Sequence, residues 1–205
     1  MAIWLRTNEF EEAVQSFESC LEFAIKVTGD LSYWKWTMIS LHNALQGFMV
    51  ISLRRSDGFG PIRDDIEKEW HEARSKGHQL PVEKLDSFLN LYKKIKKEGS
   101  LQYSNEERFI PKGNQGHSVK KVNEIRDEFI HFTPKGWSLE CSGLPNCCLD
   151  CLQIARFLHE NCRNISTQSG HDRDRVIRVL SELEKVFSDL KTQYTNTEPS
   201  KRVDA

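Results

Sequence analysis

The sequence predicts an all-α protein that folds as a single-domain bundle of six or seven helices. Apolar residues recur at the three/four spacing of a buried helical face along most of the chain. Segments with the alternating pattern of a half-buried strand are nearly absent. A length of 205 residues and an apolar content of 38% are enough for one sizeable core and are typical of a globular chain.

Seven segments combine an apolar stripe with capping residues, glycine or proline at their ends. They are residues 8–27, 32–55, 62–76, 81–97, 118–132, 144–164 and 172–194. The second segment is apolar on more than one side, so we expect it to lie at the centre of the bundle. The turn at residues 56–61 separates it from the third segment, which is highly charged and should be exposed.

The later boundaries follow from glycine, proline and polar residues. Residues 98–117 contain several of these and predict a long loop before the fifth helix. Pro134 and Gly136 end that helix, and residues 137–140 are compatible with a short extended piece. We therefore predict one domain over residues 1–194, followed by a polar, disordered tail at 195–205.

Composition excludes several classes of protein. The net charge of -1 argues against a generally basic nucleic-acid binder, so any contact with RNA must come from a local patch. The N-terminus lacks the features of a signal peptide, and no stretch is long and apolar enough to span a membrane. We expect a cytoplasmic protein with reduced cysteines. Phosphate loops, dinucleotide fingerprints and nucleophile elbows are absent from the sequence.

The fifth predicted helix carries the most informative residues. Val122, Ile125, Phe129 and Phe132 form its apolar stripe, and Arg126, Asp127 and His131 lie at the edge of that stripe. Asp127 and His131 are one turn apart, and the Arg126 side chain is long enough to reach the same patch. A guanidinium beside a carboxylate and an imidazole can bind a phosphate and transfer a proton.

In this helical context the segment resembles the signature of the HEPN superfamily (higher eukaryotes and prokaryotes nucleotide-binding domains), an all-α fold with an Arg-x(4–6)-His motif. The residue after the arginine is commonly Asn, Asp or His in that family, and Asp127 fits. Many members are metal-independent endoribonucleases of toxin–antitoxin, phage-defence or RNA-processing systems. The resemblance implies a homodimeric ribonuclease without a cofactor, whose partners are RNA and, in a toxin–antitoxin system, an antitoxin protein.

The resemblance also implies a role for each motif residue. His131 would act as general base or acid at the ribose 2′-hydroxyl or the leaving 5′-oxygen. Arg126 would hold the scissile phosphate and stabilise charge on its oxygens. Asp127 would orient the imidazole or accept a hydrogen bond from ribose. The alternative, since some members only bind, is a non-catalytic helical module for a partner protein or nucleotide, with His131 as a packing residue.

Two further groups of polar residues could support such a site. His42 and Asn43 interrupt the apolar second helix. Either they face the motif helix and complete the site, or His42 is a hydrogen-bonded core residue or the two belong to an exposed stripe. A basic run at the end of the fourth helix could contact RNA, together with a lysine in the following loop. Those residues are Lys93, Lys94, Lys96, Lys97 and Lys112. The simpler interpretation of the run is that it complements the helix dipole.

The cysteines between Cys141 and Cys162 resemble a metal site at first sight. Cys148 and Cys151 have the spacing of half a zinc site, but the chain has no second pair of matching spacing. Both residues also follow the apolar stripe of the sixth predicted helix, where a free cysteine packs as a small apolar residue. Core packing is the favoured interpretation, and a zinc protein is a third hypothesis.

Overall fold

A computed structural model of the chain describes residues 2–104, 106–131, 134, 136–166 and 170–197. Within these residues the protein is all-helical, without a β-strand, which confirms the predicted fold class. The helices are α1 (Glu9–Lys26), α2 (Trp34–Leu53), α3 (Asp64–Lys76), α4 (Phe88–Lys94), α5 (Gln115–Ile130), α6 (Leu144–Asn161), α7 (Arg163–Ser166) and α8 (Gly170–Thr197). A short 3-10 turn, Leu31–Tyr33, precedes α2.

The fourth predicted helix is much shorter than its sequence pattern suggests. Residues 81–87 are not helical, because their backbone bonds to the chain before α3. The Arg63 amide donates to the Lys84 carbonyl, and the Asp86 amide donates to the Pro61 carbonyl, both at 3.0 Å. Helix α4 then begins after Ser87, whose hydroxyl accepts a hydrogen bond from the Asn90 amide.

The sixth predicted helix is divided in two, so the described residues form eight α-helices. Cys162 has an extended backbone, with φ of −91° and ψ of 116°, and forms an isolated bridge with Ser104. The next amide, from Arg163, donates to the Tyr103 carbonyl at 2.6 Å. The long loop before α5 therefore interrupts the α6–α7 helix through backbone contacts.

Helix α2 lies at the centre of the bundle, as predicted. It packs against α1, α4, α5, α6 and α7. Met38, Leu41, Leu45 and Phe48 are completely buried along its length. The absence of a side chain at Gly47 allows α1 to approach closely, since a Cβ placed there would lie 2.6 Å from the Ala13 Cβ.

The direction of the helices determines which ends meet. Helices α5 and α6 are antiparallel, because Gln115 contacts Gln153 at 3.0 Å and Ser118 contacts Asp150 at 2.5 Å. Helices α2 and α6 run in the same direction, because Met38 Sδ lies 3.9 Å from Cys148 Sγ near their first turns and Asn164, just after α6, donates to the Ile51 carbonyl near the end of α2 at 3.0 Å. Helix α5 is therefore antiparallel to α2, and its C-terminal end points towards the first half of α2.

Three other predictions concern the ends and the surroundings of the bundle. No helix in the part of the chain that the structure describes is long and apolar enough to cross a membrane. The predicted tail begins inside α8, which continues to Thr197, and residues 198–205 lie outside the described residues. Residues 137–140, predicted as a short extended piece, belong to no strand.

Candidate active site at the C-terminal end of helix α5

Helix α5 anchors the candidate site through its apolar face. Val119, Val122 and Ile125 are buried, and Phe129 packs edge-to-face on Trp137 with ring centroids 5.1 Å apart. The helix begins three residues earlier than predicted and ends at Ile130. Phe132, which the sequence adds to this stripe, lies outside the described residues. The contact between Phe129 and Trp137 attaches the chain after α5 to this helix.

Arg126 and Asp127 form an ion pair on the face of α5 beside its apolar stripe. The Arg126 guanidinium donates from Nη1 to Asp127 Oδ1 at 2.9 Å. The side chains are 29% and 41% exposed, so both reach solvent while their inner atoms contact protein. Arg126 Nε is buried and has no hydrogen-bond partner among the described residues. A guanidinium held on one edge in this way can present other N–H groups to an anion.

Asn123 connects this ion pair to the buried interior, and the sequence analysis did not identify it. Its side-chain amide donates to Asp127 Oδ2 at 3.0 Å, and its carbonyl oxygen lies 3.2 Å from His42 Nε2. Asn123 and Asp127 are four residues apart and so share one face of α5. That spacing is the signal in the sequence by which Asn123 could have been found.

His42 belongs to the centre of the molecule and is 2% exposed. Its ring stacks on Phe88 of α4, with centroids 3.9 Å apart. Burial lowers the pKa of His42 to about 4, the Asn123 hydrogen bond opposes this, and the nearby Arg126 charge lowers the pKa further. His42 is therefore neutral at pH 7, which excludes it as a cationic phosphate ligand.

His131 is the first residue beyond α5. Its backbone amide donates to the Asp127 carbonyl at 3.0 Å, which places it one turn beyond the carboxylate at the helix terminus. The residue is exposed, so a polymer as large as RNA can reach it. The three motif residues thus all belong to the C-terminal end of α5. Whether Asp127 orients the His131 imidazole stays a prediction.

The two polar residues predicted on α2 differ in their surroundings. His42 faces α5 and contacts Asn123, whereas Asn43 is exposed on the surface of α2. Of these two residues, only His42 has a hydrogen bond to a side chain of α5 among the described residues. Phe88 is a further neighbour that the sequence analysis did not foresee, because it comes from α4.

The basic run at the end of α4 is only partly available to RNA. Lys94 is buried, and its ammonium binds the Ile62 carbonyl, Asp64 and Asp86, so its charge is already satisfied inside the protein, which disfavours its predicted contact with RNA. The other four lysines of the predicted patch remain at least partly exposed. They are Lys93, Lys96, Lys97 and Lys112.

These lysines lie near the beginning of α5 and far from the motif. Tyr92 Oη is 4.0 Å from the position that a Cβ on Gly116 would occupy, so the end of α4 meets the start of α5. Ten residues of helix separate Gly116 from Arg126, which is about 15 Å along the axis. Any contact between RNA and this run would therefore lie well away from Arg126.

Four of the six cysteines are core residues. Cys148 and Cys151 are completely buried, Cys162 nearly so, and all six thiols are free. Burial raises the pKa of Cys148 and Cys151 well above the usual thiol range, which makes the metal-binding thiolate form unfavourable. Among the described residues no group of three or more His, Cys, Asp or Glu side chains is arranged to hold a metal ion. Core packing is the interpretation that these observations support.

Comparisons of the chain with protein-family models, with characterised proteins and with solved structures find no match. The function is therefore inferred from the residues at the end of α5 and from the groups that hold them in place.

Proposed function

We propose that this protein is a metal-independent endoribonuclease of the HEPN type, acting in the cytoplasm as a phage-defence or toxin-type protein. The observation that carries the proposal is the anchoring of Arg126. Its guanidinium is bound to Asp127, which Asn123 connects to the buried His42, while exposed His131 follows one turn later. A fixed guanidinium near an accessible imidazole is what cleavage of a phosphodiester without a metal requires.

The proposed reaction uses the ribose itself as the nucleophile. His131 removes the proton from the 2′-hydroxyl, and the 2′-oxygen attacks the adjacent phosphorus. Arg126 donates hydrogen bonds to the non-bridging oxygens, where negative charge accumulates. The bond to the 5′-oxygen then breaks, and that oxygen takes up a proton. The products are a 2′,3′-cyclic phosphate, or its hydrolysis product, and a 5′-hydroxyl end.

A homodimer would supply the second proton-transfer group. One imidazole accepts the proton from the 2′-hydroxyl, and a second, from the partner copy, would donate to the leaving oxygen. Two copies of the α5 terminus in one cleft would also bring two Arg126 guanidinium groups to the phosphate. We therefore propose a homodimer that joins through the α5 termini, with an antitoxin protein as a further partner in a toxin–antitoxin system.

The ion pair itself favours one alternative, a non-catalytic module that binds a nucleotide or a partner protein. Asp127 neutralises part of the Arg126 charge, at 2.9 Å, and a partly neutralised guanidinium suits a directional contact more than strong attraction of a polyanion. In that case Arg126 would contact a phosphate or an interface, and His131 would have no chemical role. RNA turnover separates the two functions.

Replacement of Arg126 tests the proposal, with cleavage of a fluorescent single-stranded RNA and binding by anisotropy measured in parallel. Arg126→Lys keeps the positive charge but loses the forked donor group, so we expect kcat to fall by about 10²-fold or more. Lys120→Met, an exposed change on the same helix, is the matched control and should leave cleavage unchanged. Cleavage by Arg126→Ala at the wild-type rate would contradict the proposed role of Arg126.

A further inference from the structure

We propose that Asn123 is a positioning residue. By hydrogen-bonding both to buried His42 and to Asp127, it fixes Asp127 and so the orientation in which the Arg126 guanidinium binds a phosphate. The inference rests on the proposed function for the meaning of that orientation. Its structural part is the connection from His42 to Arg126, in which three successive hydrogen bonds join four side chains.

The chemistry of the four groups sets the direction of each hydrogen bond. An ionised Asp127 only accepts, so Asn123 must turn its NH₂ group towards it and its carbonyl oxygen towards His42. A carbonyl oxygen needs a donor, so His42 must carry its proton on Nε2. His42 Nδ1 is then the bare nitrogen, in agreement with a neutral ring in a buried environment.

An asparagine suits this position because one side chain must both donate and accept. An aspartate at position 123 would offer no donor and would place a second negative charge one turn before Asp127. A leucine would have a similar size but would leave both neighbours without a partner. The hydrogen bond between Asn123 and Asp127, four residues apart, therefore links Asp127 to His42 in addition to stabilising α5.

The connection matters because the Arg126–Asp127 pair alone would be loose. Adjacent charged side chains that are 29% and 41% exposed gain little from their attraction, and holding both in one rotamer costs side-chain entropy. His42 is 2% exposed and stacked on Phe88, so its ring has a fixed place in the core. Asn123 links the Arg126–Asp127 pair to that fixed ring, and so preorganises the guanidinium for RNA binding.

The buried Nε of Arg126 provides a direct probe of this orientation. In a fixed side chain its proton is shielded from water, so we expect a sharp, slowly exchanging Nε–Hε signal in ¹⁵N NMR of the wild type. Asn123→Leu should release Asp127 and speed exchange of that proton at least tenfold. Glu124→Leu, an exposed change at the next position, is the matched control and should keep the wild-type signal. Asn123→Ser serves as a second variant if Asn123→Leu does not fold.

Kinetics provide the functional readout. Asn123→Leu should lower kcat for RNA cleavage by about 10- to 100-fold with a smaller change in KM, because a misplaced guanidinium binds but does not stabilise the transition state. His42→Phe should cause a similar loss, and the double variant should lose little more than either single one. Strictly additive losses would overturn the proposal, since they would mean that the two residues act separately.

The two readouts distinguish the failure of this inference from the failure of the proposed function. If wild type cleaves no RNA but its Arg126 signal is protected and depends on Asn123, the connection stands and the ribonuclease assignment falls. If the Arg126 signal is the same in Asn123→Leu and wild type, the positioning role is overturned even where RNA is cleaved. A His42 ring with its proton on Nδ1 would overturn the proposed direction of the hydrogen bonds.

Discussion

Acidification should destabilise this protein in part through the buried histidine His42. Its pKa in the folded state is about 4, against 6.5 for an ordinary histidine, because burial disfavours the charged ring and the Arg126 charge adds to the effect. Between these values the unfolded chain binds more protons than the folded protein does. The stabilisation from neutral His42 is therefore complete above pH 6.5 and is lost as the pH falls towards 4.

The size of this loss follows from the two pKa values. The full difference corresponds to about 3 kcal/mol in the free energy of unfolding, and about 2.5 kcal/mol of it is lost between pH 7 and pH 4.5. Urea unfolding followed by circular dichroism at both pH values measures it. His42→Gln removes the titrating group and keeps a side-chain donor for Asn123. Over the same pH interval, the free energy of unfolding of this variant should therefore decrease by about 2.5 kcal/mol less than that of wild type.

One control separates His42 from the other titrating groups. His78→Gln changes an exposed histidine and should lose as much stability on acidification as wild type. His159, which is also buried and has a lowered pKa, is present in all three proteins and cancels in the comparison. An equal loss for His42→Gln and wild type would refute the conclusion that His42 is held neutral in the folded state.

Two further predictions concern packing and buried charge. Gly47→Ala should cost about 1–3 kcal/mol, because the new Cβ would lie 2.6 Å from that of Ala13, and adding Ala13→Gly should restore part of the loss in urea unfolding. Equal stability of Gly47→Ala and wild type would show that α1 can move aside freely. Lys94→Met should cost about 3–5 kcal/mol, because it leaves buried Asp86 without its cation, 3.1 Å away. Exposed Lys93→Met should change stability by less than about 0.5 kcal/mol, and a similar loss in both would refute the role of burial.

The helices that bury one continuous stripe were predictable from the sequence. The all-round apolar pattern of α2 correctly placed it at the centre, and Asn8 caps α1 by accepting a hydrogen bond from the Glu11 amide at 2.9 Å. Residues 81–87 follow a helical pattern but pair with residues 61–63 instead. Such pairing depends on contacts between distant parts of the chain, and the local periodicity of the sequence carries no information about them.

The candidate site shows the same division between local and non-local information. The Arg126–Asp127 pair and the location of His131 one turn later follow from helical spacing and were predictable. The contact of His42 with α5 was one of two open interpretations, because a polar residue in an apolar helix can face either a partner or solvent. The burial of Lys94 was not predictable because its partners, Asp64 and Asp86, come from other segments that only the folded chain brings to it.

Cleavage of RNA by wild type and His131→Ala, in the presence of EDTA, tests the central claim most directly. We expect wild type to cut an end-labelled single-stranded RNA and to leave 2′,3′-cyclic phosphate ends, while His131→Ala keeps the helical circular dichroism spectrum and cuts nothing. Equal cleavage by both proteins would contradict the assignment of His131. No cleavage by either would favour the binding module over the ribonuclease.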